Sequence, residues 1–209
     1  MSLKEVKINF VVEVATNLFM RKSINDVTIK DIATEAGIGE ATVYRYFTSK
    51  ENIVLACAMN LQEVIGKLFF RLDEGNTGFE KIEIFYRSYY EAFKNNPDYF
   101  YFIREFDAFM YTQNPSILKS YEKGIDKYHS DFIAAYELGI KDGSILRIDD
   151  IETFYYSTTH ALLELCKKLS INKALLTQDK SNRKLGEIQC LIEIILKSLK
   201  PCESNASKK

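Results

Sequence analysis

His129 and His160 are the only histidines in the chain, and Cys57, Cys166, Cys190 and Cys202 are the only cysteines. Hydrolytic, redox or metal chemistry near neutral pH would have to be built from these side chains. Their spacing argues against it. His160 has Glu164 one helical turn on and Cys166 nearby, too little for a catalytic or metal site. No two cysteines form a CxxC pair, and three lie in helical patterns, so they read as free thiols of a reduced, cytoplasmic protein. No nucleophile–base pair and no phosphate-cradling loop is present. The sequence therefore predicts a protein that is not an enzyme and needs no metal or cofactor.

The aromatic residues are the second group with chemical potential. Thirteen of the 27 lie between Phe79 and Tyr111. They surround the helical stretch too completely to serve one inward face. Some are expected to line a cavity, where Phe and Tyr walls with phenol hydroxyls would suit a flat apolar ligand. Phe85, Tyr86, Tyr89, Phe93, Phe102, Phe106 and Phe109 are the wall candidates, joined by Tyr156 and His160 from a mixed polar–apolar helix. Glu83, Glu91, Glu105 or Asp107 could add selectivity for a cationic ligand. The simpler reading of an aromatic stripe at helical spacing is core packing.

These residues need elements to hold them. Only 3 Pro and 9 Gly occur in 209 residues, fewer than repeated strands and tight turns require. The predicted fold is all-α. An amphipathic helix spans 5–21, with Ile8, Val12, Ala15 and Phe19 inward. Thr28 to Asp31 forms a capping box that opens a short helix. Gly37 ends it, and a second short helix covers 40–47 with Val43 and Phe47 inward. Thr48-Ser49-Lys50-Glu51 is another capping box, opening a helix that runs to about Leu72. Further helices are predicted over 79–95, 98–112, 115–142, 150–170 and 182–200, with the loop from Glu74 to Gly78 as a candidate domain boundary. Charges within the first twenty residues argue against a signal peptide, and no apolar run approaches a membrane span of about 20 residues.

Two short helices joined by a glycine turn describe a helix-turn-helix. Ala33 sits where the helices cross closely, and Ile38 and Val43 plug the joint. The second helix would enter the major groove N-terminus first. An ordinary helical hairpin is the alternative on spacing alone.

The run Thr28-Ile-Lys-Asp-Ile-Ala33, then Ala36-Gly37-Ile38, then Ala41-Thr42-Val43-Tyr44-Arg45-Tyr46-Phe47, then Ser49-Lys50-Glu51 resembles the N-terminal domain of TetR-family transcriptional regulators over about residues 8–58. The resemblance implies a three-helix DNA-binding domain over residues 1–50 and a helical ligand-binding and dimerisation domain over 51–200, followed by a flexible tail over 201–209. It implies a homodimer on a palindromic operator in double-stranded DNA, usually a repressor, released by a small-molecule effector. By the same resemblance, Thr28, Tyr44 and Lys50 would contact phosphates, and Ala41, Thr42 and Tyr46 would face base edges or sugars. Arg45 could reach a phosphate or a guanine.

Two positions depart from the family pattern. Glu40 stands where many members carry a basic or small polar residue. It would have to accept from a cytosine amine or serve only the helix's first turn. Gly39 replaces a frequent Ser or Thr cap. Residues 1–58 carry seven basic and seven acidic side chains, so binding would rest on the placement of Lys22, Lys30, Arg45 and Lys50 rather than on a general field. The net charge of −1 for the chain excludes a histone-like binder. A helical ligand-binding or protein-docking module without DNA activity is the competing reading.

The last helix carries apolar residues on more than one face. Leu162, Leu165, Ile188, Leu191, Ile192, Ile195 and Leu199 are the candidates for a four-helix interface between two copies. The helix over 49–72, shared by both domains, would transmit the ligand's effect.

Overall fold

The structure is a computed structural model and describes residues 2–113, 115–171 and 183–201. Nine α-helices and three short 3₁₀ turns, and no strand, occur among the described residues. The helices are α1 (Leu3–Arg21), α2 (Ile29–Glu35), α3 (Glu40–Phe47), α4 (Lys50–Phe69), α5 (Gly78–Asn95), α6 (Pro97–Met110), α7 (Lys119–Asp142), α8 (Ile151–Leu169) and α9 (Lys184–Leu199). The fold is all-α, as the sparse Pro and Gly imply. The expected tail beyond Pro201 and the polar link over 177–182 lie outside the described residues.

Contacts divide the chain into two units, neither of them continuous. The first joins residues 1–65 to 96–125; the second joins 66–95 to 126–209. This differs from the expected division at residue 50. The reason is α6. Phe102, Ile103, Phe106, Phe109 and Met110 enter the same apolar core as Val11, Val12, Ala15 and Phe19 of α1. The Phe19 and Phe102 rings lie 6.4 Å apart. The Ser23 hydroxyl donates to Glu105 Oε2 at 2.6 Å, fixing α6 beside the 3₁₀ turn Ile24–Asp26. Helix α4 contributes Ile53, Val54, Cys57 and Ala58 to that core. Contrary to the sequence expectation, the chain from Lys50 to Glu74 has the length and mean hydropathy, 1.5, of a spanning helix. Of α4, Ile53, Val54, Cys57, Ala58 and Ile65 are buried.

In the second unit α5 packs on α8 and α9, and α8 on α9. The start of α5 touches backbone to backbone. A Cβ on Gly78 would collide with the amide nitrogen of Gly139 in α7. Asp142 and Ser144 then cap α5 from outside it. Asp142 Oδ2 accepts from the Gly78 N–H at 2.8 Å and Ser144 Oγ from that of Phe79 at 3.0 Å.

Candidate nucleic-acid interface

The first unit builds a joint before it builds a surface. Thr28 caps α2 and shares a reciprocal capping box with Asp31. Its Oγ1 accepts from the Asp31 N–H at 3.1 Å, and Asp31 Oδ2 accepts from the Thr28 N–H at 2.8 Å. Thr28 Oγ1 also donates to Asp31 Oδ2 at 2.7 Å. These bonds hold the Asp31 carboxyl below the usual carboxylate range. The helix ends in a Schellman motif. Gly37 has φ +64°, the Ile38 N–H reaches back to the Ala33 carbonyl at 3.0 Å, and the Gly37 N–H reaches that of Thr34 at 3.2 Å. Ile38 packs on the unit's core just past the turn. Gly37 is needed here because a side chain at that φ would be strained.

This joint orients α3. Val43 and Phe47 are buried and seat the helix. Glu40, Ala41, Tyr44 and Arg45 face outward, with Tyr44 49% exposed, while Thr42 and Tyr46 are partly covered. The Arg45 guanidinium lies 5.4 Å from the Tyr46 ring centre. Lys30 is exposed on α2. Glu40 makes no hydrogen bond or ion pair with a described residue. The α3 N-terminus has Gly39 as cap with no side-chain bond, so its first amides are free for another acceptor.

Two residues behave in ways the spacing does not reveal. Thr48 has φ +61° and ψ −34°, and the Ser49 N–H donates to the Phe47 carbonyl at 2.7 Å. This is a γ-turn of the rare positive-φ kind, on a β-branched residue. Asn52 Nδ2 donates to Thr48 Oγ1 at 2.9 Å, and Ser49 Oγ accepts from the Asn52 N–H at 3.4 Å. Ser49 is therefore the cap of α4, and Thr48 sets the angle between α3 and α4. Lys50 is the other. Its Nζ donates to the Asn25 carbonyl at 3.3 Å and sits 5.4 Å from the Phe109 ring centre. Burial pulls its ionisation below the ordinary lysine value, opposed by Glu51, Asp26 and Asp31.

The residues expected to form a ligand pocket do not gather in one place. Phe102, Phe106 and Phe109 belong to the core of the first unit, as above. Tyr156 and His160 are exposed on α8. Phe85, Tyr86, Tyr89 and Phe93 share the inner side of α5 in the second unit. Glu83 is engaged by Arg87 at 2.8 Å and Glu105 by Ser23, so neither is an idle carboxylate for a cationic ligand. The expected subunit interface needs a similar correction. Leu162, Ile188, Ile192, Ile195 and Leu199 are buried in the chain's own core, and Leu165 and Leu191 are partly covered. They face inward because α5, α8 and α9 pack on one another. The outward side of α9 carries Gly186, Gln189, Cys190, Glu193, Ile194 and Lys197, with Ile194 63% exposed. No group of three or more metal-ligating side chains occurs among the described residues.

The joint, the seated second helix and the helical remainder define a class: an all-α protein with an N-terminal helix-turn-helix. Within that class, residues 11–57 match the model of the bacterial regulatory proteins of the tetR family. No curated protein matches the chain. Solved structures match over nearly its whole length. A TetR-family transcriptional regulator from Agrobacterium tumefaciens aligns with TM-score 0.73 at 12% identity, over 95% of this chain and 100% of its own. One from Haloarcula marismortui aligns with TM-score 0.73 at 14% identity, over 94% and 100%. The ketosteroid transcriptional regulator KstR2 of Mycobacterium tuberculosis aligns with TM-score 0.65 at 17% identity, over 93% and 95%. Residues 11–57 are thus similar to the N-terminal domain of the TetR family, and the chain as a whole has the fold of these solved structures.

Proposed function

We propose that this protein is a ligand-responsive, sequence-specific DNA-binding transcriptional regulator, acting in the cytoplasm as a homodimer. In this reading it is a repressor, released from a palindromic operator by a small apolar or aromatic ligand, and it catalyses no reaction. One observation carries the proposal. Glu40, Ala41, Tyr44 and Arg45 stand outward on a helix whose opposite face, Val43 and Phe47, is locked into a core. A helix held this way presents base-reading and phosphate-reading groups without first ordering them. Tyr44 offers a hydroxyl to a phosphate, Arg45 a guanidinium to a phosphate or guanine, and the open α3 N-terminus its amides. Thr28 serves a phosphate only by giving up its bond to Asp31, which lowers its worth as a contact.

A second copy would dock on the outward faces of α8 and α9, around Ala161, Cys190 and Ile194. A two-fold pairing supplies two reading helices about one helical turn of DNA, ~34 Å, apart. Ligand and DNA favouring different separations of those helices would weaken each other's binding by the same factor. Helix α4 supplies residues to both units and is the natural carrier of that change.

Selection of binding sites from a random duplex pool at about 100 mM salt tests the reading. Recovery of a palindrome with half-sites about one turn apart is expected. Absence of any enriched sequence from protein shown by mass spectrometry to be ligand-free would favour a docking module without DNA activity.

A further inference from the structure

The first turn of α3 has a single exposed side chain that can hydrogen-bond. Gly39, the cap, has no side chain, Ala41 offers only a methyl group, Thr42 is partly covered and Val43 is buried. That leaves Glu40, exposed at the first position of the helix. Tyr44 stands one turn behind Glu40 on the same ridge, and Arg45 stands behind Ala41 on the next. Other acidic side chains of this unit are spent on the fold. Glu5 Oε2 accepts from the Ser2 N–H at 2.7 Å, Asp31 Oδ2 from the Thr28 N–H, and Glu105 Oε2 from the Ser23 hydroxyl. Glu40 has no such bond to a described residue.

A helix that enters the major groove N-terminus first brings its leading turn to the base edges. A carboxylate in that turn can only accept hydrogen bonds. Guanine shows it two acceptors, O6 and N7, and thymine shows O4 and a methyl group. Adenine offers its N6 amine with the N7 acceptor beside it. Cytosine alone shows an amine donor and no acceptor of its own. Elsewhere along the duplex the same carboxylate meets phosphates of its own sign, so it weakens binding to sequences that do not repay it. We propose that Glu40 sets operator specificity: its carboxylate accepts from the N4 amine of one cytosine in each half-site and repels DNA that lacks that cytosine. This rests on the DNA-binding reading above and names a base that the operator must carry.

Site selection from a random duplex pool tests the proposal with the full parent chain and the variants Glu40→Ala and Glu40→Gln, their melting compared in parallel. The parent is expected to fix a cytosine in each half-site. Replacing it is expected to cost about five- to tenfold in affinity, the worth of one charge-assisted hydrogen bond. Glu40→Ala is expected to lose the preference at that position alone, and to bind an unrelated duplex about two- to fivefold more tightly than the parent does at the same salt. Glu40→Gln, which carries both a donor and an acceptor, is expected to move the preference to adenine. If the alanine variant does not fold, the glutamine variant, which keeps the size of the side chain, decides. A palindrome with no fixed cytosine, or the same consensus from parent and variants, would overturn this proposal alone. An unchanged consensus with a lower melting temperature for Glu40→Ala would do so by assigning Glu40 to the first turn of α3. No enriched sequence from the ligand-free parent would remove the DNA reading itself and this proposal with it.

Discussion

The Lys50 ammonium lies 5.4 Å from the centre of the Phe109 ring while donating to the Asn25 carbonyl at 3.3 Å. One side chain at the start of α4 thus ties together the 3₁₀ turn after α1 and the end of α6. In the proposed DNA-binding role Lys50 would contact a phosphate, and its partial burial would leave it less side-chain freedom to lose on binding than a fully exposed lysine.

Lys50→Gln keeps a donor for Asn25 and removes the charge. DNA affinity is expected to fall, and the slope of log affinity against log salt to flatten by about 1 for each protomer. Titration of an operator duplex at several salt concentrations measures this. An unchanged slope would assign Lys50 to folding alone.

Thr48 occupies a backbone region that a β-branched residue reaches only under strain, on the order of 1–3 kcal/mol. Thr48→Gly relieves that strain, against the greater chain entropy of glycine, roughly 0.5–1 kcal/mol, and the lost bond from Asn52. The expected net is a stabilisation of about 1 kcal/mol or less, read as a rise in melting temperature. Thr48→Val keeps the strain and loses the hydroxyl, and is expected to melt lower than the parent.

The two faces of α9 offer a test that separates the proposed pairing of two copies from folding. Ile194 is exposed and Ile192 is buried. Ile194→Asp is expected to leave helicity and melting of the monomer intact while sedimentation shows dimers dissociating. Ile192→Ala is expected to cost about 2–5 kcal/mol of stability through the cavity it leaves. A dimer that survives Ile194→Asp would place the subunit contact elsewhere.

Acid should loosen the helix caps. Asp142 is held below its ordinary value by Ser144 and the Gly78 amide, Glu80 by the Asn76 and Thr77 amides, and Asp150 by Thr153. A carboxyl with a depressed native value binds fewer protons folded than unfolded. Its stabilising contribution is complete above the ordinary values, about 3.8 for Asp and 4.5 for Glu, and disappears as pH falls through the lower native ones. Denaturant unfolding is therefore expected to show a steady loss of stability below about pH 4.5. Asp142→Asn should make that loss shallower, since one of the linked protons is gone.

The helix-turn-helix joint was open to sequence reading because every part of it is local. The Thr28 box, the Gly37 turn and the spacing of Val43 and Phe47 each act within a few residues, so residue type and offset suffice to specify them. The strain at Thr48 leaves no such trace, since nothing in a Thr between two helices demands positive φ.

Long-range packing decided the rest. The aromatic run from Phe79 to Tyr111 reads as one cluster along the chain, yet α5 sends Phe85 and Tyr86 into one core and α6 sends Phe102 and Phe106 into another. An amphipathic pattern states that a face is apolar; it does not state which neighbour covers it. The same ambiguity hid the outward face of α9, where the most apolar ridge, Ile188, Ile192 and Ile195, turned inward and left Cys190 and Ile194 at the surface. The sequence by itself determined the helical class, helix α3 and the joint that seats it. Only the tertiary structure determined the partner of each apolar face, because that choice is made by the summed burial of distant segments rather than by any one of them.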